Sequence, residues 1–159
     1  MEAHYYNVNV TWNKDRQGLM CSPELKANGS GESCIEVATP PQFPKGIPGI
    51  WSPEHLFTAA VSSCFMTTFL SIAENSKLDF ISFRCDASGK LDQIEGKLQM
   101  TEVVVKPILT IPNEMDRDRA MRVLTKTESA CLITNSIKAN VLMEPSIQVV
   151  AHAENVSIP

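Results

Sequence analysis

Hydrophobic and polar positions alternate at the start of the chain, with a period of two. This alternation predicts a half-buried β-strand, and its apolar members are Tyr6, Val8, Val10 and Trp12. Two short strands are then predicted at 19–22 and 34–38, and each follows a turn-like segment, at 16–18 and 27–33. The segment 39–50 carries four prolines, so we expect a loop without regular pairing there.

A long uncharged segment follows and predicts an α-helix to about Ser76. Ser52 can cap it, Pro53 suits its first position, and Glu54 meets the positive end of its dipole. The run from Leu56 to Ala73 is long enough to cross a bilayer. However, it holds six Ser and Thr residues and has no close basic flank, which favours a buried helix over a membrane span.

The second half of the chain predicts two long strands, a helix and a final strand. The strands cover 78–90 and 94–111, with a turn near Gly89 or Asp92. Asn113 is the predicted cap of the helix, and Cys131 lies at or just past its end. The final strand covers 141–153 with a break at Pro145. The helix shows an apolar stripe at Ala120, Val123, Leu124 and Thr127.

This order of elements indicates an α+β fold in a single domain, 1–159. One chain of this length can hardly cover an uncharged helix on several sides. We therefore expect a homodimer in which the helices pack against their partners. The alternative is a monomer whose helix lies on its own sheet.

Composition narrows the function classes. The formal net charge is −4 and the pI about 5.4, which argues against nucleic acid or an anionic membrane as the main partner. Residues 1–6 lack the apolar stretch of a signal peptide. The five cysteines are odd in number, widely spaced and without a C-x-x-C pair. A disulfide framework, a metal site or a bound cofactor is therefore not expected, and the cytoplasm is the expected compartment.

Cys64 is the cysteine with the most unusual position. It lies deep in the apolar helix, where a cysteine is often an inert, buried hydrophobic side chain, and Cys21, Cys34 and Cys85 are expected to be of that kind. The helix dipole reaches Cys64 only weakly, so a thiolate there would need a cation, held by a carboxylate. Arg16 and Glu54 are the candidates.

Three motifs together resemble the OsmC/Ohr family of hydroperoxide reductases. The first is Pro53-Glu54-His55-Leu56-Phe57, with Cys64-Phe65 beginning ten positions after Glu54. The second is the segment 129–136, which contains Cys131. The third is the turn Arg16-Gln17-Gly18 after the first strand. One departure is Leu132, where the family often has proline.

The resemblance implies an antiparallel sheet wrapped around a long central helix, in an intertwined homodimer with its sites at the subunit interface. It implies that Cys64 is the peroxidatic cysteine, Cys131 the resolving cysteine, and Arg16 the cation that holds the thiolate, oriented by Glu54. Glu54 lies roughly 15 Å from Cys64 along one helix, so its carboxylate would come from the other subunit.

The implied activity is the reduction of organic hydroperoxides, in an antioxidant or stress-response role, with an external dithiol as reductant, such as a lipoylated protein. The predicted substrate pocket consists of apolar side chains at Trp51, Phe57, Phe65 and Met66. The alternative is that these side chains are core or interface packing. Two other functions stay open: a small apolar ligand-binding protein of the same fold, and a structural dimer with incidental thiols.

Overall fold

Seven strands and two α-helices are present in residues 2–26 and 31–150, the part of the chain that the computed structural model describes. The elements are β1 (Asn9–Lys14), β2 (Gln17–Lys26), β3 (Glu32–Ala38), α1 (Pro53–Asn75), β4 (Ser82–Ile94), β5 (Lys97–Ile111), α2 (Arg117–Ala130), β6 (Asn140–Met143) and β7 (Ser146–Val149). Short 3₁₀ turns occupy Glu114–Asp116 and Thr134–Ser136. The predicted α+β class is confirmed. The predicted end of the last strand, 151–153, and part of the turn at 27–33 lie outside the described residues.

The chain divides into two compact units, Met1–Leu56 and Phe57–Pro159. The boundary falls in the first turn of α1, so this helix belongs to both units. The single domain over 1–159 stays a prediction.

The amino-terminal unit contains an antiparallel sheet in the order β1-β2-β3. Every residue of β1 is exposed, and Trp12 retains 73% of its accessible surface. The prediction that this strand is half-buried is therefore wrong for the single chain. The reason is that the described residues of the single chain do not bury its side chains, all of which belong to exposed residues of a strand at the edge of the sheet.

The carboxyl-terminal unit contains a four-stranded mixed sheet. β4 and β5 form a long antiparallel hairpin, whereas β6 and β7 both pair with β5 in parallel. The antiparallel hairpin agrees with the sheet that the resemblance implied, and β6 and β7 add two parallel pairings to it. The connection from β5 through α2 returns the chain to the end of the sheet where β5 began, and a crossover of this length permits parallel pairing.

The core of this unit lies between α1, the sheet and α2. Helix α1 contributes a residue every four positions, which is the spacing of one helical face. The ring of Phe69 stacks on Phe83 at a centroid distance of 4.3 Å. The predicted apolar stripe of α2 is confirmed, since all four of its residues are buried. The α1 residues in the core are Val61, Phe65, Phe69 and Ala73, and those of β5 are Val103, Val105, Leu109 and Ile111.

One of the two predicted helix caps is present. The backbone N–H of His55 donates to Oγ of Ser52 at 3.3 Å, so Ser52 caps α1 as expected. Asn113 does not cap α2. A 3₁₀ turn follows Asn113, without a side-chain capping bond, and α2 begins only at Arg117.

Helix α1 is long and apolar enough to cross a membrane by length and composition, with a mean hydropathy of 1.7. The core helix of a globular protein passes the same test. Four residues on one face of α1, Val61, Phe65, Phe69 and Ala73, pack in the protein core, and 22% of the apolar stretch is buried. The expected buried helix is therefore covered on one face only within the described residues of the single chain.

Candidate active site

Cys64 and Cys131 come together in the carboxyl-terminal unit. Cys64 lies on α1 and is half-buried, whereas Cys131 directly follows the last residue of α2 and is fully buried. Both are free thiols, and each of them shifts the pKa of the other. The predicted position of Cys131 at the end of its helix is confirmed.

The chain after Cys131 turns its backbone amides toward Cys64. The N–H of Ile133 donates to Sγ of Cys64 at 3.4 Å, and the N–H of Leu132 contributes a second, weaker interaction. Several hydrogen bonds hold this turn, among them Asn135 N–H to the Cys131 carbonyl at 3.1 Å and Ser136 Oγ to the Leu132 carbonyl at 2.8 Å. The turn therefore presents fixed dipoles to one sulfur atom.

These contacts shift the pKa values of the two thiols in opposite directions. Burial raises the pKa of Cys64, but the hydrogen bonds from Ile133, Cys131, Thr68 and Leu132 together bring that pKa below its ordinary value. Burial raises the pKa of Cys131, and the neighbouring Cys64 raises it further against the hydrogen bonds from Thr134. Cys64 is therefore the more acidic thiol of the pair.

Cys85 shows what a cysteine with fewer pKa-lowering contacts becomes in the same unit. It is half-buried on β4, and burial raises its pKa to about 11. The backbone hydrogen bond with Lys106 lowers the pKa only partly, and the charge of Asp86 raises it. Cys85 is therefore an unreactive thiol near neutral pH, as the sequence indicated.

Cys21 and Cys34 differ from the expectation of isolated, buried thiols. They form a disulfide between β2 and β3, where the two residues are direct partners in the antiparallel register and their Cα atoms are 4.2 Å apart. The prediction of no disulfide is thus wrong at these positions. It relied on sequence spacing, whereas the bond depends on strand register, which the spacing of cysteines does not reveal.

Arg16 and Glu54, the predicted cation and carboxylate, line one cavity of about 550 Å³ in the amino-terminal unit. Arg16 is exposed in the turn between β1 and β2, and Oε2 of Glu54 is buried. The remaining walls are largely apolar. They consist of Val10, Trp12, Gln17, Gly18, Val37, Ala38, Thr39, Pro40, Phe43 and Pro53.

The four predicted pocket residues have different environments. Phe65 is 1% exposed, and its ring stacks with the ring of Phe83 in the core. This environment agrees with the alternative that Phe65 is a core packing residue. Phe57 is half-buried against the same core. Met66 and Trp51 are exposed, at 40% and 50%. A substrate role for these four residues stays a prediction.

The model of the OsmC-like protein family matches residues 46–146, which include Glu54, Cys64 and Cys131. The chain belongs to the OsmC-like family. An uncharacterised protein of Bacillus subtilis, YmaD, is 19% identical over 147 residues, which are 91% of this chain and 93% of that protein.

Solved structures of OsmC-like proteins share the fold. An OsmC-like protein of unknown function from Vibrio cholerae superimposes with a TM-score of 0.75 at 24% identity, over 90% of this chain and 99% of that one. An organic hydroperoxide resistance protein from Legionella pneumophila gives a TM-score of 0.70 at 20% identity, over 94% and 100%. At these identities the likeness shows the fold alone.

The sequence did not reveal the amide donors of this OsmC-like site. We expected a side-chain cation to stabilise Cys64, whereas in the structure backbone N–H groups of residues 132 and 133 lower its pKa. The available signal was the position of Cys131 just past a helix, because the chain must turn there and expose its amides.

Proposed function

We propose that this OsmC-like protein is a thiol-dependent peroxidase that reduces organic hydroperoxides to alcohols. The observation that carries the proposal is the pairing of two free thiols whose pKa values move in opposite directions, down at Cys64 and up at Cys131. A nucleophilic thiolate next to a protonated thiol is the arrangement that a two-cysteine peroxidase needs.

The reaction has three balanced steps. The Cys64 thiolate attacks the outer oxygen of R–O–OH, the O–O bond breaks, and the alkoxide leaves and takes a proton to become ROH, so that Cys64 becomes a sulfenic acid. The Cys131 thiol then attacks that sulfur, releasing water and forming a Cys64–Cys131 disulfide. An external dithiol, such as the dihydrolipoyl group of a lipoylated protein, reduces this bond by exchange and is itself oxidised to a disulfide.

In this proposal the guanidinium of Arg16 also stabilises the thiolate and attracts the peroxide oxygen, and Glu54 orients it. The shared cavity of Arg16 and Glu54 supports their partnership. Because Glu54 and Cys64 are separated by ten residues of one continuous helix, we assign the Arg16–Glu54 pair of each site to the second subunit of a homodimer.

We propose alkyl hydroperoxides as the substrate class and a reducing compartment, the cytoplasm, as the location. The apolar walls around Arg16, which include Val10, Trp12, Val37 and Phe43, suit an alkyl chain better than hydrogen peroxide. In such a compartment Cys64 and Cys131 are free between turnovers, and the Cys21–Cys34 disulfide is transient.

Replacement of the nucleophile tests the proposal. The Cys64→Ser variant should lose dithiol-dependent reduction of cumene hydroperoxide by about a thousandfold or more, because no other group supplies the attacking sulfur. Cys85→Ser is the matched control and should retain the parental rate. A Cys64→Ser variant that consumes the hydroperoxide at the parental rate would end the proposal.

The cavity supports one alternative, a protein that binds a small apolar ligand with little peroxidase activity. This alternative predicts saturable binding of a long-chain alcohol without loss of thiols when hydroperoxide is added. Titration of free thiols during hydroperoxide addition separates the two functions, since the peroxidase loses two thiols per chain.

A further inference from the structure

The Cys21–Cys34 pair lies outside the thiol pair of the proposed peroxidase, and its two sulfur atoms differ in access. Cys21 is 8% exposed, whereas Cys34 is exposed to solvent. An external thiolate can therefore reach the sulfur of Cys34 and displace Cys21. Accessible disulfides of this kind are those that are readily reduced, and disulfides of cytoplasmic proteins are generally transient.

A third ligand atom lies beside this pair. Glu32 precedes Cys34 by two residues on β3, so the two side chains point to the same face of the strand. Cys21, opposite Cys34 on β2, completes a group in which the two Sγ atoms and a Glu32 carboxylate oxygen lie within 4.8 Å of one another. Both strands belong to one sheet, so their hydrogen-bonded backbones hold these three residues next to one another.

We propose that the reduced form of this pair binds a zinc-like divalent cation through Cys21, Cys34 and Glu32. Thiolate and carboxylate ligands at about 2.0–2.3 Å from a tetrahedral Zn²⁺ lie roughly 3.3–3.8 Å from one another. Only small side-chain movements would bring the three atoms to those separations after the S–S bond opens. The exposure of Cys34 and Glu32 leaves the fourth position to water.

The site is gated by redox state. A dithiol attacks Sγ of Cys34, the S–S bond breaks, and Cys21 leaves as a thiolate; the second thiol of the reductant then frees Cys34 and closes a cyclic disulfide. Zn²⁺ binding displaces the remaining thiol protons. The disulfide form has no thiolate to offer, so oxidation and metal binding exclude each other. This inference does not depend on the proposed peroxidase activity.

The test uses the full chain with Cys64→Ser and Cys131→Ser, which removes the other thiol pair. The protein is reduced, freed of reductant without oxygen, and titrated with Zn²⁺ against a chromophoric chelator. A parallel titration with Cd²⁺ follows the ultraviolet thiolate-to-metal absorption. We expect one metal ion per chain in the reduced form and none in the disulfide form.

Variants define the ligands. Cys21→Ser should abolish the thiolate-to-metal absorption of a two-sulfur site, and Glu32→Gln should weaken Zn²⁺ binding by about tenfold or more. Glu36→Gln is the matched control: Glu36 lies on the same strand two residues beyond Cys34, but its carboxylate accepts a hydrogen bond from Gln17 at 2.6 Å. Equal binding by the disulfide form, no binding after reduction, or equal effects of Glu32→Gln and Glu36→Gln would each overturn the proposal.

Discussion

Two cysteine pairs in one chain have reached opposite chemical states, and their surroundings explain the difference. Cys21 and Cys34 face each other across two antiparallel strands and are joined as a disulfide. Cys64 and Cys131 meet between a helix and a turn and are free, with amide donors pointed at one of the two sulfurs. In the first pair the two sulfur atoms are close together and form a disulfide. In the second pair, hydrogen-bond donors are oriented toward Cys64, which is the proposed nucleophile, and Cys131 is the proposed resolving thiol.

The comparison also shows that burial alone does not decide thiol reactivity. Burial raises the pKa of Cys64, Cys85 and Cys131 alike. Only Cys64 gains enough hydrogen bonds to reverse that effect. The difference between a reactive and an inert thiol in this protein therefore lies in the turn that follows Cys131.

The largest expected difference between the pairs concerns turnover. Cys131→Ser should reduce steady-state hydroperoxide reduction to background, because the Cys64 sulfenic acid then has no resolving thiol. The first turnover should persist, and mass spectrometry after dimedone treatment should detect the sulfenic acid on Cys64. Cys34→Ser serves as the comparison and should keep steady-state activity; a loss equal to that of Cys131→Ser would contradict the separation of roles.

The second difference concerns alkylation rates of free thiols. The pKa of Cys64 lies below the ordinary thiol value and that of Cys85 is raised to about 11, so their thiolate populations near neutral pH should differ by about a hundredfold or more. Iodoacetamide labelling followed by peptide mass spectrometry measures both rates in one sample. The Cys64 rate should level off at lower pH than the Cys85 rate; the reverse order would refute the assignment of the nucleophile.

The third difference concerns stability. The Cys21–Cys34 bond joins residues 13 positions apart, and its removal in Cys34→Ser should lower the free energy of unfolding of the amino-terminal unit by about 2 kcal/mol. Both tryptophans, Trp12 and Trp51, lie in that unit, so urea unfolding followed by tryptophan fluorescence reports on it. Cys85→Ser should leave this unfolding transition unchanged. An equal shift in Cys85→Ser would show that loss of the disulfide is not the cause.

The smallest expected effect isolates one donor to Cys64. The hydroxyl of Thr68 lies 3.9 Å from Sγ of Cys64, a weak contact whose loss in Thr68→Val should slow Cys64 alkylation near neutral pH by about twofold. Thr67→Val is the matched control, since Thr67 bonds to helix carbonyls and not to the thiol. Equal rates in the two variants would exclude Thr68 as a donor that matters.

The sequence predicted elements well where local periodicity decides the structure. The four-residue stripe of α2 and the Ser52 cap of α1 are examples. It failed where a distant contact decides. The turn was expected near Gly89 or Asp92, but both lie inside β4, and a Cβ added at Gly89 would collide with the Thr58 hydroxyl. The turn is instead at Glu95 and Gly96, both with positive φ.

In the candidate site, too, the sequence predicted what local motifs identify and missed what tertiary contacts decide. The family motifs singled out Cys64 and Cys131, and the structure brings these two together. The amide donors of the turn and the Cys21–Cys34 bond depend on tertiary position and on strand register, which no local pattern of residue types encodes. The exposed β1 shows the converse, because its alternation is clear but the residues that the structure describes leave every residue of the strand exposed.

The most direct test of the central claim is a peptide map after one equivalent of cumene hydroperoxide has reacted with the protein. We predict a new bond between Cys64 and Cys131, with Cys85 still a free thiol and the Cys21–Cys34 link unchanged. Oxidation that leaves Cys64 reduced, or that joins it to a cysteine other than Cys131, would contradict the account.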